Sequence, residues 1–335
     1  MTAGTSSPLL EVDDLSIRFV RRSSALTAVN KLSFSIDPGE TLAIVGESGC
    51  GKTVTGLSLL GLLDRRTARV SGSVRLNGSE ILGLSERNMR KVRGCRIAMI
   101  FQDPMTALNP VQKIGTQLVE AITAHENVSY AAARVRALEL LERVRISEPK
   151  KRIDDYPHRL SGGMRQRVGI AMALAGNPSL LIADEPTTAL DVTVQAQILR
   201  LLSDIQRELK MSIILITHDL GVVAETANRV LVMYAGRKVE EQTVYGLFDH
   251  PRHPYTRGLI RAKPQPGRED GGRTRLVEIP GIVPNLAELP QGCAFAERCP
   301  KAARQCTLQM PQLREMGSAF VACHFPDVAQ VVGAA

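Results

Sequence analysis

No apolar run in this chain of 335 residues approaches the length of about 18 needed to cross a bilayer. The first stretch, Met1 to Leu10, lacks the basic and apolar regions of a secretory signal, so the chain is expected to stay in the cytosol. No internal repeat is visible, and no block of like charge. The formal net charge is +8, but the basic residues are scattered through Arg21-Arg22, Arg87 to Arg96, Lys150 to Arg152 and Arg165 to Arg167. That scatter argues against nucleic acid as a partner. A basic surface lying against anionic lipid fits better, each nearby cation contributing about 1 kcal/mol. Six cysteines in a chain of this size without a signal do not make a disulfide framework, because the cytosol keeps thiols reduced. What is present is 44% hydrophobic and 23% charged residues, enough for a sizeable core in one large domain and a smaller one.

The first segments alternate apolar and polar residues: Leu15-Ile17-Phe19, Leu32-Phe34-Ile36, and Val74-Leu76 before the turn pair Asn77-Gly78. Period two predicts antiparallel strands with one wet face. Leu42 to Val45, Ile97 to Phe101, Leu180 to Ala183 and Ile213 to Ile216 are instead short continuous apolar runs, the pattern of strands covered on both faces. Between them lie helical stretches, one carrying Val194, Ile198, Leu201, Leu202, Ile205 and Leu209 at spacings of three and four. The fold class is therefore α/β, with a parallel-sheet core, an amino-terminal antiparallel β subdomain, and a helical insertion over about 108–175.

Strand Leu42 to Val45 runs into Gly46-Glu47-Ser48-Gly49-Cys50-Gly51-Lys52-Thr53, a complete G-x4-G-K-S/T loop, and then an apolar helix, Val54 to Leu63. Glycines at 46, 49 and 51 let the backbone curl so that successive N–H groups, those of Ser48 and Cys50 included, face phosphates. Lys52 supplies a point charge to the phosphate oxygens and the Thr53 hydroxyl a ligand for Mg²⁺. Cys50 is expected to use its backbone N–H and not its thiol. A partner carboxylate should end an apolar strand, and Leu180 to Ala183 ends in Asp184-Glu185. Asp184 can hold Mg²⁺, and Glu185 can take a proton from an attacking water. Gln102 and His218 end two further strands, at the edge where open α/β sheets bind ligands.

Leu160-Ser161-Gly162-Gly163 opens a second helix that runs to Gly176-Asn177-Pro178. Ser161 is placed as N-cap and the two glycines bare the backbone N–H groups, giving a second anion site. Two phosphate-reading ends in one chain suggest two chains that share nucleotides.

The order of phosphate loop, Gln102, Leu160-Ser161-Gly162-Gly163, Asp184-Glu185, Ala189-Leu190-Asp191 and His218 resembles the ATP-binding subunits of ABC transporters over roughly residues 9 to 250. The resemblance implies a P-loop ATPase working as a head-to-tail dimer, with ATP between the phosphate loop of one subunit and the Ser161-Gly162-Gly163 loop of the other. It implies further that Phe19 stacks on adenine, Gln102 contacts Mg²⁺, Asp191 crosses the interface, and His218 senses the γ-phosphate. Tyr156-Pro157-His158-Arg159, Phe101-Gln102-Asp103-Pro104-Met105 with Leu108-Asn109-Pro110, and His253-Pro254-Tyr255-Thr256 are similar to the oligopeptide/dipeptide permease ATPases. That narrower likeness implies a second ATP-binding subunit, paralogue or copy, two transmembrane permease subunits and an external substrate-binding protein. It places the chain peripherally at the cytoplasmic face of the inner membrane, with peptides as cargo and nickel or another small solute as alternatives. The rival reading, a soluble ABC ATPase acting on nucleic acid, fits the tail poorly.

After about Ala262 the composition shifts to Pro, Gly and charge, so the expected domains are 1–262 and a small cysteine-rich carboxy-terminal extension, 263–335. Cys293, Cys299, Cys306 and Cys323 have spacings that match neither paired zinc knuckles nor ferredoxin runs. The permease resemblance, carried by Gly292-Cys293, Arg298-Cys299-Pro300, Cys306, Pro311 and Cys323-His324, implies a 4Fe–4S cluster on those four thiolates. Zinc, with His324 as a further ligand, and free buried thiols are the alternatives.

Overall fold

In the computed structural model of the chain, which describes residues 7–21, 24–103, 108–188, 190–262 and 278–327, the alternating segments pair as expected. The strands are β1 (Leu10–Arg21), β2 (Ser24–Ile36), β3 (Thr41–Val45), β4 (Ala68–Leu76), β5 (Ser79–Glu80), β6 (Ile97–Ile100), β7 (Leu180–Asp184), β8 (Ser212–Thr217), β9 (Arg229–Tyr234), β10 (Arg237–Thr243), β11 (Arg314–Met316) and β12 (Ala319–Val321). Among the described residues β1, β2, β4 and β5 form an antiparallel sheet in the order β2-β1-β4-β5. Its β4–β5 turn is Asn77-Gly78, both at positive φ (48° and 72°), the conformation that a two-residue hairpin needs.

The second sheet runs β11-β12-β10-β9-β3-β8-β7-β6. The apolar runs are its parallel centre: β3 lies between β9 and β8, β8 between β3 and β7, and β7 between β8 and β6. Both faces are covered. Leu42, Ile44, Ile182, Ile214 and Ile216 point to a core shared with Leu10, Leu15, Ile17, Leu32 and Ile36 of the antiparallel sheet. Leu181, Ala183, Ile213 and Leu215 face a second core with Ile198, Leu201, Leu202 and Ile205 of the helix Val192–Leu209. Each Leu or Ile among them contributes about 1.5–3 kcal/mol on burial.

The helical insertion holds the helices Ile114–Thr123, Tyr130–Arg143, Pro149–Arg152 and Gly162–Leu174. The helix after the phosphate loop differs from expectation. It starts earlier, spans Lys52–Leu59, and stops before Gly61, whose φ is 59°. The tail adds two strands to the main sheet, β12 pairing antiparallel with β10 at Glu240↔Val321 and with β11. No long apolar run announced them, since each has three residues. A third core joins Val230, Val232 and Tyr234 of β9 to Tyr255 and Phe295. The expected linker after Ala262, Ala189 and the Pro104-Met105 pair lie outside the described residues.

Candidate active site

Parallel pairing of β3, β8, β7 and β6 brings their carboxyl ends to one edge. Gly46, Glu47, Ser48, Gln102, Glu185 and His218 there line a cleft of about 460 Å³. Of these, the sequence named Gly46 and Ser48 through the loop motif, Glu185 through the acid pair at a strand end, and Gln102 and His218 through the rule that ligands sit at that edge.

The loop fits its glycines. A Cβ on Gly46 would stand 2.3 Å from the Met233 carbonyl oxygen, and one on Gly51, at φ 103°, 2.7 Å from that of Ala28. Gly51 also caps the helix Lys52–Leu59 without a side chain, so the helix presents bare N–H groups to the loop. Lys52 is folded over the loop, its Nζ donating to the carbonyls of Gly46 at 2.7 Å and Glu47 at 3.1 Å. Ser48 is exposed. Cys50 is buried, and burial pushes its thiol up from its ordinary value. Its N–H is bonded to the Glu47 carbonyl at 3.3 Å.

The Thr53 hydroxyl donates to Oδ1 of Asp184 at 3.2 Å. Asp184 is only 2% exposed; burial raises its carboxyl pKa, against which the Thr53 hydrogen bond works. A buried carboxylate beside a hydroxyl at a phosphate loop is a donor set suited to a hard divalent cation. Glu185 has the left-handed φ of 45° while its N–H bonds to the Ile216 carbonyl at 2.8 Å, a held conformation that costs on the order of 1 kcal/mol. Three groups converge on its carboxylate: Gln102 Nε2 at 3.0 Å and the Thr188 hydroxyl at 2.8 Å donate to Oε2, and His218 Nδ1 lies 3.1 Å from Oε1. Partial burial raises this carboxyl, but the Thr188 and His218 hydrogen bonds outweigh it and leave the pKa below its ordinary value. Sequence reasoning missed Thr188. Its signal is the position three residues after Glu185, in the turn that leaves β7.

Ser161 is the N-cap of the helix Gly162–Leu174, its Oγ accepting from Met164 N at 3.3 Å. Asp191 caps the helix Val192–Leu209 in the same manner, accepting from Val194 N at 2.9 Å. The two caps are neighbours, since a Cβ on Gly163 would stand 2.7 Å from Cγ1 of Val194 and one on Gly162 3.6 Å from Leu190. Neither cap lines the Gly46 cleft, nor does Phe19, which sits half-buried against the core between the two sheets.

Cys293, Cys299, Cys306 and Cys323 are free and line one small cavity, together with His253, Phe295 and His324. Burial pushes up the thiols of Cys293, Cys299 and Cys323, the last to about 11. The 4Fe–4S cluster expected there is not supported by their arrangement: among the described residues no group of three or more His, Cys, Asp or Glu is placed to hold a metal ion. Sequence reasoning also missed a contact between the tail and the loop. Arg298 forks over the Glu47 carboxylate at 2.7 and 3.0 Å, and the Tyr255 hydroxyl accepts from Glu47 N at 2.9 Å. That carboxylate is the main reason the Arg298 pKa is raised.

Residues 29–188 match the ABC transporter family and residues 239–306 the carboxy-terminal region of oligopeptide/dipeptide transporters. The "Probable peptide ABC transporter ATP-binding protein" of Sinorhizobium fredii is 56% identical, over 92% of each chain. The dipeptide transport ATP-binding protein DppD of Escherichia coli is 46% identical over 95% of this chain and 97% of its own. The chain belongs to the ABC transporter ATP-binding proteins. Within that family it falls with the oligopeptide/dipeptide branch, and it is an ATPase. An ATP-binding cassette solved as a dimer in a post-hydrolysis state with ADP and Pi is 26% identical, with a TM-score of 0.63, over 70% of this chain and 98% of that one. Among the described residues no helix of this ABC ATPase is long and apolar enough to cross a membrane.

Proposed function

We propose that this ATPase hydrolyses MgATP at the interface of two ATP-binding subunits and so powers the import of di- or oligopeptides. The observation that carries the reading is the carboxyl-edge constellation: a glycine loop with Lys52 and Thr53 on one strand end, and Asp184, Glu185, Gln102 and His218 on the next three. The loop N–H groups and the helix start at Lys52 take the phosphates. Lys52 leaves the Gly46 and Glu47 carbonyls for the β/γ oxygens. Thr53 and Asp184, with Gln102, would hold the Mg²⁺ that accompanies ATP, which when bound would supply positive charge beside the phosphates. Glu185 orients the attacking water and accepts its proton, and His218 reads the γ-phosphate and reports to Glu185 through their hydrogen bond.

Ser161, Gly162 and Gly163 act on the nucleotide of the neighbouring subunit, and Asp191 beside them works at the same interface. The capped helix start at Ser161 supports this, as does the dimeric cassette with ADP and Pi. Phe19 is the adenine platform. Closure on ATP and reopening after hydrolysis would turn two membrane permease subunits, which receive cargo from an external binding protein. That places the chain peripherally, at the cytoplasmic face of the inner membrane. The relatives named for peptide and dipeptide transport support the cargo. The reading divides the chain into an ATP-binding domain, 1–262, and the permease-type extension.

On the same reading the four cysteines of the extension hold a 4Fe–4S cluster. Four free thiols around one cavity support it. Protein purified without oxygen should carry iron and acid-labile sulfide; one equivalent of zinc without sulfide would remove the cluster. The transport reading is tested by reconstituting the chain with its permease subunits and binding protein. Peptide-stimulated ATP hydrolysis is expected, and stimulation by nickel or a sugar alone would replace the cargo.

A further inference from the structure

The phosphate loop carries an acid where its ligand is acidic. Glu47, second residue of the loop, lines the cleft with its side chain 26% exposed. Left unpaired, this carboxylate would repel a polyphosphate across a few ångströms of partly desolvated space. It is not left unpaired. Arg298 Nη1 donates to Oε2 at 2.7 Å and Nη2 to Oε1 at 3.0 Å, the two-pronged geometry that fixes both partners. The guanidinium is itself held from behind. Nε donates to the Pro280 carbonyl at 3.0 Å, Nη2 to that of Ile279 at 3.3 Å, and Nη1 to the Tyr234 hydroxyl at 3.3 Å, with the side chain only 4% exposed. The backbone of Glu47 is tied by a separate bond, its N–H to the hydroxyl of Tyr255, which is fully buried. Both ties come from the carboxy-terminal part of the chain, 251 and 208 positions away. Arg298 sits in the short turn Ala296–Arg298 between Cys293 and Cys299, so the fold of the tail decides where the guanidinium stands.

We propose that Arg298 is a positioning residue for nucleotide binding: it cancels the Glu47 charge at the rim of the phosphate loop and, with Tyr255, fixes that loop's first turn. The carboxy-terminal segment thereby sets the affinity of the ABC core for MgATP. This rests on the reading of residues 46–53 as the phosphate site.

The test measures MgATP affinity by calorimetry on the full chain, with Lys52→Ala as reference. Arg298→Ala should weaken binding about tenfold, equivalent to about 1.4 kcal/mol. Adding Glu47→Gln to that variant should bring affinity back to within about threefold of wild type, because the stranded carboxylate, not the missing contacts, causes most of the loss. A purely architectural Arg298 would give a double variant as weak as the single one, and that result overturns the proposal, as does an Arg298→Ala protein that binds like wild type. Should Arg298→Ala not fold, Glu47→Gln alone decides: binding within about threefold of wild type is expected, and a tenfold loss refutes charge cancellation. Wild-type binding by Lys52→Ala would instead sink the phosphate-site reading underneath, whatever Arg298 does.

Discussion

His218 Nδ1 lies 3.1 Å from Oε1 of Glu185, while the other carboxylate oxygen is taken by Gln102 and Thr188. A carboxylate only accepts, so all three neighbours donate to it and its direction is fixed before any nucleotide arrives. Such a group is suited to align a water and take its proton. Glu185→Gln keeps the shape and loses the base. MgATP affinity should stay within a few-fold, while turnover by the assembled transporter should fall at least about a hundredfold, the usual share of a general base. Near-normal turnover would remove Glu185 from that role.

On the proposed mechanism, in which Glu185 is the base, its neighbours also set the pH at which it can act. Hydrogen bonds from Thr188 and His218 outweigh partial burial and hold its carboxyl below the ordinary range, so it stays ionised as the solution turns acidic. Thr188→Val removes one donor and keeps the shape. The Glu185 pKa then rises, and the acid limb of the pH–turnover profile should move to higher pH. An unmoved limb would show that another group sets it.

Most of this arrangement was legible in the sequence because local rules produced it. Continuous apolar runs gave β3, β6, β7 and β8, and parallel order places the residue after each run at a common edge. Asn77-Gly78 gave its hairpin through turn chemistry alone. The ties from Arg298 and Tyr255 to Glu47 were not legible, since they join residues more than two hundred positions apart and depend on how the tail packs. The strands β11 and β12 escaped for a related reason: three residues each are too few to display a period, and they are strands because β10 offers an edge.

Two glycines of the phosphate loop separate steric from conformational need. A Cβ on Gly46 would lie 2.3 Å from the Met233 backbone oxygen and 2.7 Å from Sγ of Cys50, whereas one on Gly49, at φ 79°, meets nothing within 4 Å. Gly46→Ala must displace β9 or the loop and should cost about 1–3 kcal/mol, together with nucleotide binding. Gly49→Ala incurs only the left-handed backbone cost of about 1 kcal/mol. Denaturant melts of both variants decide this, and equal losses would mean that the close packing on β9 is unimportant.

His253 couples stability to pH at the base of the tail. It is 1% exposed, and its Nδ1 accepts from Tyr255 N at 3.0 Å, capping the helix Pro254–Arg261. Burial lowers its pKa from 6.5 to about 4, only partly opposed by a hydrogen bond with the Ala322 backbone. The folded chain therefore holds a neutral imidazole where the unfolded chain binds a proton. The contribution is complete above the unfolded value, drains away as the pH falls below it, and levels off under the folded one. Between about pH 7 and about pH 5 the loss should approach about 2 kcal/mol, at about 1.4 kcal/mol for each unit below the unfolded value. Asn at this position can still cap the helix but does not titrate. Denaturant titrations of His253→Asn at the two pH values should show the acid-dependent loss reduced by that amount, and parallel losses in the variant and the wild type would place the sensitivity on another group.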